Sequence, residues 1–363
     1  MNNLFRIAVG IMRGVYALIK CFPQKDRVAI LSRQNRTPSI DIRRLTECMR
    51  QRYPRTECVV LVRMIDSWTY VFHMVRQMYY IATSRVVVLD GFCIAASVLK
   101  HKKGTTIIQM WHSSAAIKQF GYQTIGKPAG HSKEMAEIMS MHRNYDYVLC
   151  PSWATGELFC KGFDISPVKL KYYGLPRLTE IQKDDTDWQQ EARKRIMGDD
   201  GRELVLYAPT FRKGKEVDAK GLIQALDQER FRLVIKPHPL DKLDAGEEYV
   251  CQEYSSQQLL RVCDRIITDY SALGVEASIL GKPIYYYVYD IDEYIEETGL
   301  NVDPLKEMPG CSSRDGAELA DMMKQPYDYE QLQRFRDKYI EVPTDHCAER
   351  IADFIEECLH GND

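Results

Sequence analysis

The sequence predicts an α/β protein of two parallel-sheet halves facing a cleft, and three observations carry that expectation. From Arg27 onward, short runs rich in Val and Ile alternate with helical stretches, the pattern of strands buried on both faces. The alternation runs twice, broken by a polar and charged stretch over residues 179–201. A chain of 363 residues is also too long for one ordinary core and suits two domains.

The chain begins differently. Leu4, Ala8, Ile11, Val15, Leu18, Ile19 and Phe22 fall on one helical face, with Arg6, Arg13 and Lys20 opposite. A spanning helix needs about 20 residues with few charges, and a signal peptide needs an unbroken apolar run with a small-residue cleavage site. Neither fits, so residues 1–26 are expected to form an in-plane amphipathic helix at the cytoplasmic face of the cell membrane, as a peripheral attachment. The plainer alternative is a helix packed on the protein's own core. Residues 1–56 hold twelve Lys/Arg against three acids, on a chain of net charge -2, which favours a negatively charged surface as partner.

Strands are then expected at Val28–Ser32, Cys58–Val62, Val86–Leu89, Thr105–Met110 and Tyr147–Cys150, with helices between them near Ile40–Gln51, Ser67–Ala82, Phe92–Leu99, His131–Met141 and Trp153–Lys161. The stretch Ser67–Ala82 carries Trp68, Tyr70, Phe72, Met74, Met78, Tyr79 and Tyr80, a stripe that reads first as core. The turn-rich Gly174-Leu175-Pro176-Arg177 marks a point where a first domain, 27–175, can end. A second series, Leu204–Ala208, Lys220–Leu226, Arg232–Ile235, Ser256–Val262 and a βαβ unit over 261–289, gives a second domain, 176–345. Residues 346–363 predict a final amphipathic helix able to fold back across the domains. Eleven scattered cysteines contain no CxxC pair, which favours a reduced compartment and argues against zinc.

Four polar clusters each follow an apolar strand, and a parallel sheet gathers such ends at one edge, where ligands bind. They are Gln109-Met110-Trp111-His112-Ser113-Ser114, Ala208-Pro209-Thr210-Phe211-Arg212-Lys213, Lys236-Pro237-His238-Pro239 and Thr268-Asp269-Tyr270-Ser271. At a strand tip His112 suits a general base acting on a hydroxyl. Lys236 and His238 point to one side if the strand persists, where both can donate to phosphate. Thr210 offers a hydroxyl and Arg212 a bidentate phosphate clamp. Ser271 caps the helix expected from Ala272 and is placed to share a phosphate with its free N–H groups. Glu276, further along that helix, is placed for ribose hydroxyls. No GxxxxGK[ST], GxGxxG at a strand end or HExxH occurs, which argues against P-loop hydrolysis, a standard dinucleotide dehydrogenase and a zinc protease.

Taken together and in order, QMWHSS, GLPR, YAPTFR, IKPHP, ITDYSALGVEASILGKPIYYY and YDIDEYIEETGLNVDPLKEMPG resemble the CDP-glycerol glycerophosphotransferase family of teichoic-acid primases and polymerases, over residues 28–358. The resemblance implies a GT-B-like fold with two Rossmann-type domains facing a cleft, and attachment to the cytoplasmic membrane surface. It implies attack by an acceptor hydroxyl on the β-phosphate of CDP-glycerol, with release of CMP. On that model His112 is the base, His238 and Arg212 stabilise phosphate charge, and Thr210, Lys236, Thr268, Asp269, Ser271 and Glu276 bind the donor. No cofactor, metal or nucleic acid is implied. The family's glycine after Trp-His is Ser113 here, its second serine after Asp-Tyr is Ala272, its usual Asp in the next helix is Glu276, and its Arg-Gly reads Thr298-Gly299. The polyol is therefore left open between CDP-glycerol and CDP-ribitol, and the acceptor is a lipid-linked saccharide or teichoic-acid-like polymer. The length favours a primase or side-chain transferase over a processive polymerase. Two rival readings stay open: a GT-B glycosyltransferase using a CMP- or UDP-sugar, and an inactive membrane-bound binding subunit.

Overall fold

A computed structural model describes residues 2–212, 215–237, 242–243 and 245–361. The chain divides into two compact units. Met1–Ser114, Phe120–Thr179 and Val342–Asp363 form the first, and Ala115–Gln119 with Glu180–Glu341 form the second.

The first unit is built on six parallel strands: β1 (Lys25–Ser32), β2 (Glu57–Val62), β3 (Ser84–Leu89), β4 (Thr106–Gln109), β5 (Tyr147–Cys150) and β6 (Leu170–Tyr172), in the order β2-β1-β3-β4-β5-β6. The central strands are apolar on both faces because helices cover both. Val28, Ala29 and Ile30, and Val86, Val87 and Val88, are fully buried. Arg27 is buried at the start of β1, where Thr83, Ser84 and Glu57 take its guanidinium. Helix ends follow local chemistry: the Ser39 hydroxyl accepts the Ile42 N–H to start α2 (Ile40–Arg52), and Ser152 does the same for Thr155 at Trp153–Phe163. The chain's last helix, Cys347–His360, belongs to this unit. It lies on α2, with Arg52 and Tyr53 bonded to Asp353 and Thr56 to Glu356.

Two N-terminal features differ in how far periodicity foretold them. In α1 (Asn2–Ile19) the buried residues are Val9, Met12, Tyr16 and Ile19, so Ile19 leaves the expected apolar face for the core. The remainder of that face is exposed, with Leu4 70% and Leu18 74% accessible. In α3 (Tyr70–Thr83) Met78 is buried as expected of a core stripe, but Trp68, just before it, and Phe72 are 79% and 65% exposed. The aromatic stripe is thus only partly core, because the helix has two apolar faces and one of them points to solvent.

The main sheet of the second unit has five parallel strands, β7 (Glu203–Tyr207), β8 (Phe231–Ile235), β9 (Arg265–Thr268), β10 (Ile284–Tyr287) and β11 (Ser312–Ser313), in the order β11-β10-β9-β7-β8. The βαβ unit over β9 and β10 forms as expected. Its helix, Leu273–Ser278, is shorter than the sequence suggested, and Ala272 holds the cap position. The short edge strands β6 and β11 were not foreseen, because two or three residues leave no periodicity to read.

Candidate active site

In the first unit, β1, β3 and β4 are neighbours in the sheet and end together. The residues that leave these ends are Ser32-Arg33, Asp90-Gly91 and Met110-Trp111-His112. Trp111 has φ 63°, a left-handed conformation that costs an L-residue roughly 1–2 kcal/mol. Two sets of contacts hold it there. Its N–H donates to Gln109 Oε1 at 2.9 Å, while Gln109 Nε2 donates to the Gly91 carbonyl at 3.1 Å. Its ring packs against Phe120 and Phe163, at centroid distances of 5.1 and 5.0 Å. The twist turns the backbone off the strand and aims His112 at its neighbour strand: Nδ1 lies 2.8 Å from the Asp90 carbonyl oxygen. A carbonyl only accepts, so Nδ1 carries the proton and Nε2 is the basic nitrogen of the neutral ring.

The Asp90 side chain is 1% exposed, and neither of its oxygens has a hydrogen-bond partner among the described residues. Burial pushes its carboxyl up to about 6, against the pull of the Ser32 hydroxyl; Asp41 adds to the rise and Arg177 opposes it. Ser32 is thus near enough to bias the charge without closing a bond of good geometry. Asp41 is itself occupied: Arg177, from the GLPR turn, donates its N–H and Nε to the two oxygens at 2.8 Å each.

In the second unit, the clusters that follow β7 and β9 come together. Asp269 accepts the Thr210 N–H at 2.9 Å and its own neighbour's N–H, from Tyr270, at 2.6 Å. Arg212 donates Nη1 to Asp269 at 2.5 Å, and Nε and Nη2 to Asp290 at 2.8 and 2.9 Å. Its guanidinium sits over the rings of Tyr270 and Tyr289, and Tyr270 stacks on Tyr294 at 4.0 Å. Burial alone would raise the Asp290 carboxyl, yet hydrogen bonding and charge from Arg212 hold it below the usual range. Most of the Arg212 donors are therefore spent inside the protein, where they tie two strand ends together.

Thr268 is buried and its hydroxyl donates to the Ala208 carbonyl at 2.8 Å. Thr210 is buried, and its hydroxyl has no hydrogen-bond partner among the described residues. Ser271 Oγ accepts the Leu273 N–H at 3.2 Å, a turn ahead of the helix in place of the expected cap. Glu276 is buried and takes a hydrogen bond from Gln257 at 3.4 Å. Lys236 leaves β8 and turns aside to the Gln252 carbonyl at 3.2 Å, and burial lowers its ammonium. His238 and Lys213 lie outside the described residues. No group of three His, Cys, Asp or Glu among the described residues is arranged to hold a metal.

Two residues carry chemistry that sequence reasoning passed over. One is Asp90. The other is Lys118, in the short segment that joins the second unit. Asn301 donates its N–H to the Ile117 carbonyl at 2.8 Å and Gln119 donates to Gly299 at 3.0 Å. Burial lowers the Lys118 ammonium, and the charges of Asp269 (raising) and Arg212 (lowering) both act on it. It makes no ion pair among the described residues, so the corner at Asp269 holds a cation with donors to spare. No signal marked it: AAIKQF is neither a strand end nor a polar cluster.

Comparison with known proteins fits this arrangement. The chain is 28% identical to a teichoic acid ribitol-phosphate primase of Bacillus spizizenii, over 98% of both chains. It is also 28% identical to a teichoic acid glycerol-phosphate primase of Bacillus subtilis, over 79% of this chain and 77% of that one. Among solved structures, that of the wall teichoic acid polymerase TagF superposes with a TM-score of 0.75, at 17% identity, over 99% of this chain and 97% of that chain. This likeness shows the GT-B-like fold. The family model described as CDP-Glycerol:Poly(glycerophosphate) glycerophosphotransferase matches residues 15–357, and the chain belongs to that family of transferases.

Proposed function

We propose that the protein transfers a polyol phosphate from a CDP-polyol, CDP-glycerol or CDP-ribitol, to a hydroxyl of a lipid-linked or polymeric cell-envelope acceptor. The single observation that supports this reading is the bond from His112 Nδ1 to the Asp90 carbonyl, which leaves Nε2 as the basic nitrogen. The acceptor hydroxyl gives its proton to Nε2 while its oxygen bonds to the β-phosphorus. The bond from that phosphorus to the bridging oxygen breaks, and CMP leaves. Charge gathered on the phosphoryl oxygens needs fixed cations and donors. Lys118, Lys236, His238, the Thr210 hydroxyl and Ser271 fill that role in our reading, with Glu276 on the ribose. Arg212, Thr268 and Asp269 position them.

We also propose that the first unit sits on the cytoplasmic membrane surface. The exposed apolar residues of α1 and α3 support this, as does the lack of any carboxylate from residue 2 to 24 and from 67 to 89. No described helix is long and apolar enough to cross a membrane.

The test of the transfer is product release. Incubated with membrane acceptor and CDP-glycerol, CDP-ribitol or UDP-sugars, the protein should release CMP from one CDP-polyol. UDP release without CMP would overturn the proposal. His112→Ala should lower kcat by about 100- to 10,000-fold, the usual worth of a general base.

A further inference from the structure

A narrow pocket opens at the same strand ends as His112, lined by Ser32, Arg33, Tyr70, Gln77, Asp90 and Phe92 among others, with room for roughly one water-sized group. Three features set it apart from ordinary packing. Both carboxylate oxygens of Asp90 are buried and lack hydrogen donors, a costly state that a protein rarely keeps without a use. Arg33 is half-buried, its guanidinium 5.1 Å from the centre of the Phe92 ring, and it makes no hydrogen bond or ion pair among the described residues. The Asp90 backbone carbonyl is the group that fixes the His112 tautomer, so the unpaired carboxylate and the carbonyl that orients the base belong to one residue.

We propose that this pocket reads the end of the acceptor: Asp90 accepts a hydroxyl beside the attacking one, and Arg33 takes a phosphate oxygen of the same molecule. The ligand class is a phosphorylated polyol or sugar terminus with neighbouring hydroxyls. One hydroxyl, the size of a water, fills the pocket, and the adjacent hydroxyl is left at His112 Nε2. This rests on the transferase reading for the identity of the attacking group, and it adds what recognises that group. The raised carboxyl is the expected signature of an anion waiting for donors.

The test is equilibrium titration of the full chain, wild type and Asp90→Asn, with glycerol phosphate and ribitol phosphate. Ethyl phosphate, which lacks hydroxyls, is the control, and CDP-glycerol and CDP-ribitol are titrated separately. A charged hydrogen bond lost to a ligand hydroxyl should weaken polyol phosphate binding by about tenfold or more. Ethyl phosphate should bind weakly and equally to both proteins, and the CDP-polyols should be unaffected. Arg33→Gln should weaken all three simple phosphates together, which keeps the proposal testable if Asp90→Asn misfolds. Equal polyol phosphate affinity in wild type and Asp90→Asn would overturn the pocket. So would a wild type that prefers ethyl phosphate. Failure of both CDP-polyols to bind the wild type would strike the transfer reaction alone.

Discussion

At the scale of single residues, the buried Asp90 carboxylate sets a cost on the fold. The Asp90 carboxyl sits at about 6 in the folded protein because burial penalises its charge, against roughly 3.9 in an unfolded chain. Between those values the folded state binds more protons than the unfolded one, so stability falls as pH rises through the window from about 4 to 6. Above it the penalty is complete, on the order of 2–3 kcal/mol. Asp90→Asn keeps the shape and removes the charge. It should raise the melting temperature by several degrees at pH 7.5, and that gain should vanish near pH 3.5. A lower melting temperature at pH 7.5 would show that the carboxylate is satisfied after all. The place of His112 just past a strand end was legible in the sequence because an apolar strand runs straight into it. Asp90 was not, because Asp-Gly after a strand reads as a turn. Its burial and its missing partners exist only once β1, β3 and β4 lie side by side.

At the scale of elements, the second unit depends on how β7 and β9 end. Asp269 is buried and Asp290 half-buried, and Arg212 joins them. The sequence pointed to Arg212 as a phosphate clamp because YAPTFR ends a strand with a cation. Its real partners are 57 and 78 residues away, a spacing that no local pattern reveals. The pair of carboxylates makes a firm expectation. Arg212→Met leaves the buried Asp269 and the half-buried Asp290 uncompensated, and should cost about 3–5 kcal/mol of unfolding free energy, read as a lower urea midpoint. Arg212→Lys restores one charge but not the two-sided geometry and should recover part of that loss. If Arg212→Met instead left the midpoint unchanged and abolished only CMP release, the clamp role would stand and the brace would not. Strand and helix positions were largely legible here, since β8 and Ser256–Val262 formed within a residue of expectation and β9 and β10 fall inside the expected βαβ unit. The caps and the edge strand were set by tertiary hydrogen bonds that sequence periodicity does not carry.

At the scale of the whole molecule, charge and exposed apolar surface concentrate at one end of the sequence. α1 and α3 both belong to the first unit, and neither carries an acid. The sequence exposed half of this feature, the amphipathic α1. It hid the other half, because aromatic residues on α3 look the same whether they face a core or a bilayer, and only accessibility separates Met78 from Phe72. An interfacial helix binds by buried apolar area plus attraction to anionic lipid, each nearby Lys or Arg contributing about 1 kcal/mol. Co-sedimentation with vesicles separates the two contributions. The wild type should pellet with vesicles containing phosphatidylglycerol, and less with pure phosphatidylcholine. Raising salt from about 0.1 to 1 M, which shortens screening from roughly 10 to 3 Å, should narrow that difference but not abolish binding. Leu4→Ser with Leu18→Ser should weaken binding at either salt concentration, and so should Trp68→Ser with Phe72→Ser, because each pair removes apolar area and leaves charge untouched. All four side chains are exposed, so folding should be unchanged by thermal melt. If the α3 pair bound as well as wild type while the α1 pair did not, attachment would rest on one helix alone. If neither pair lost binding, the apolar surface would have some other partner.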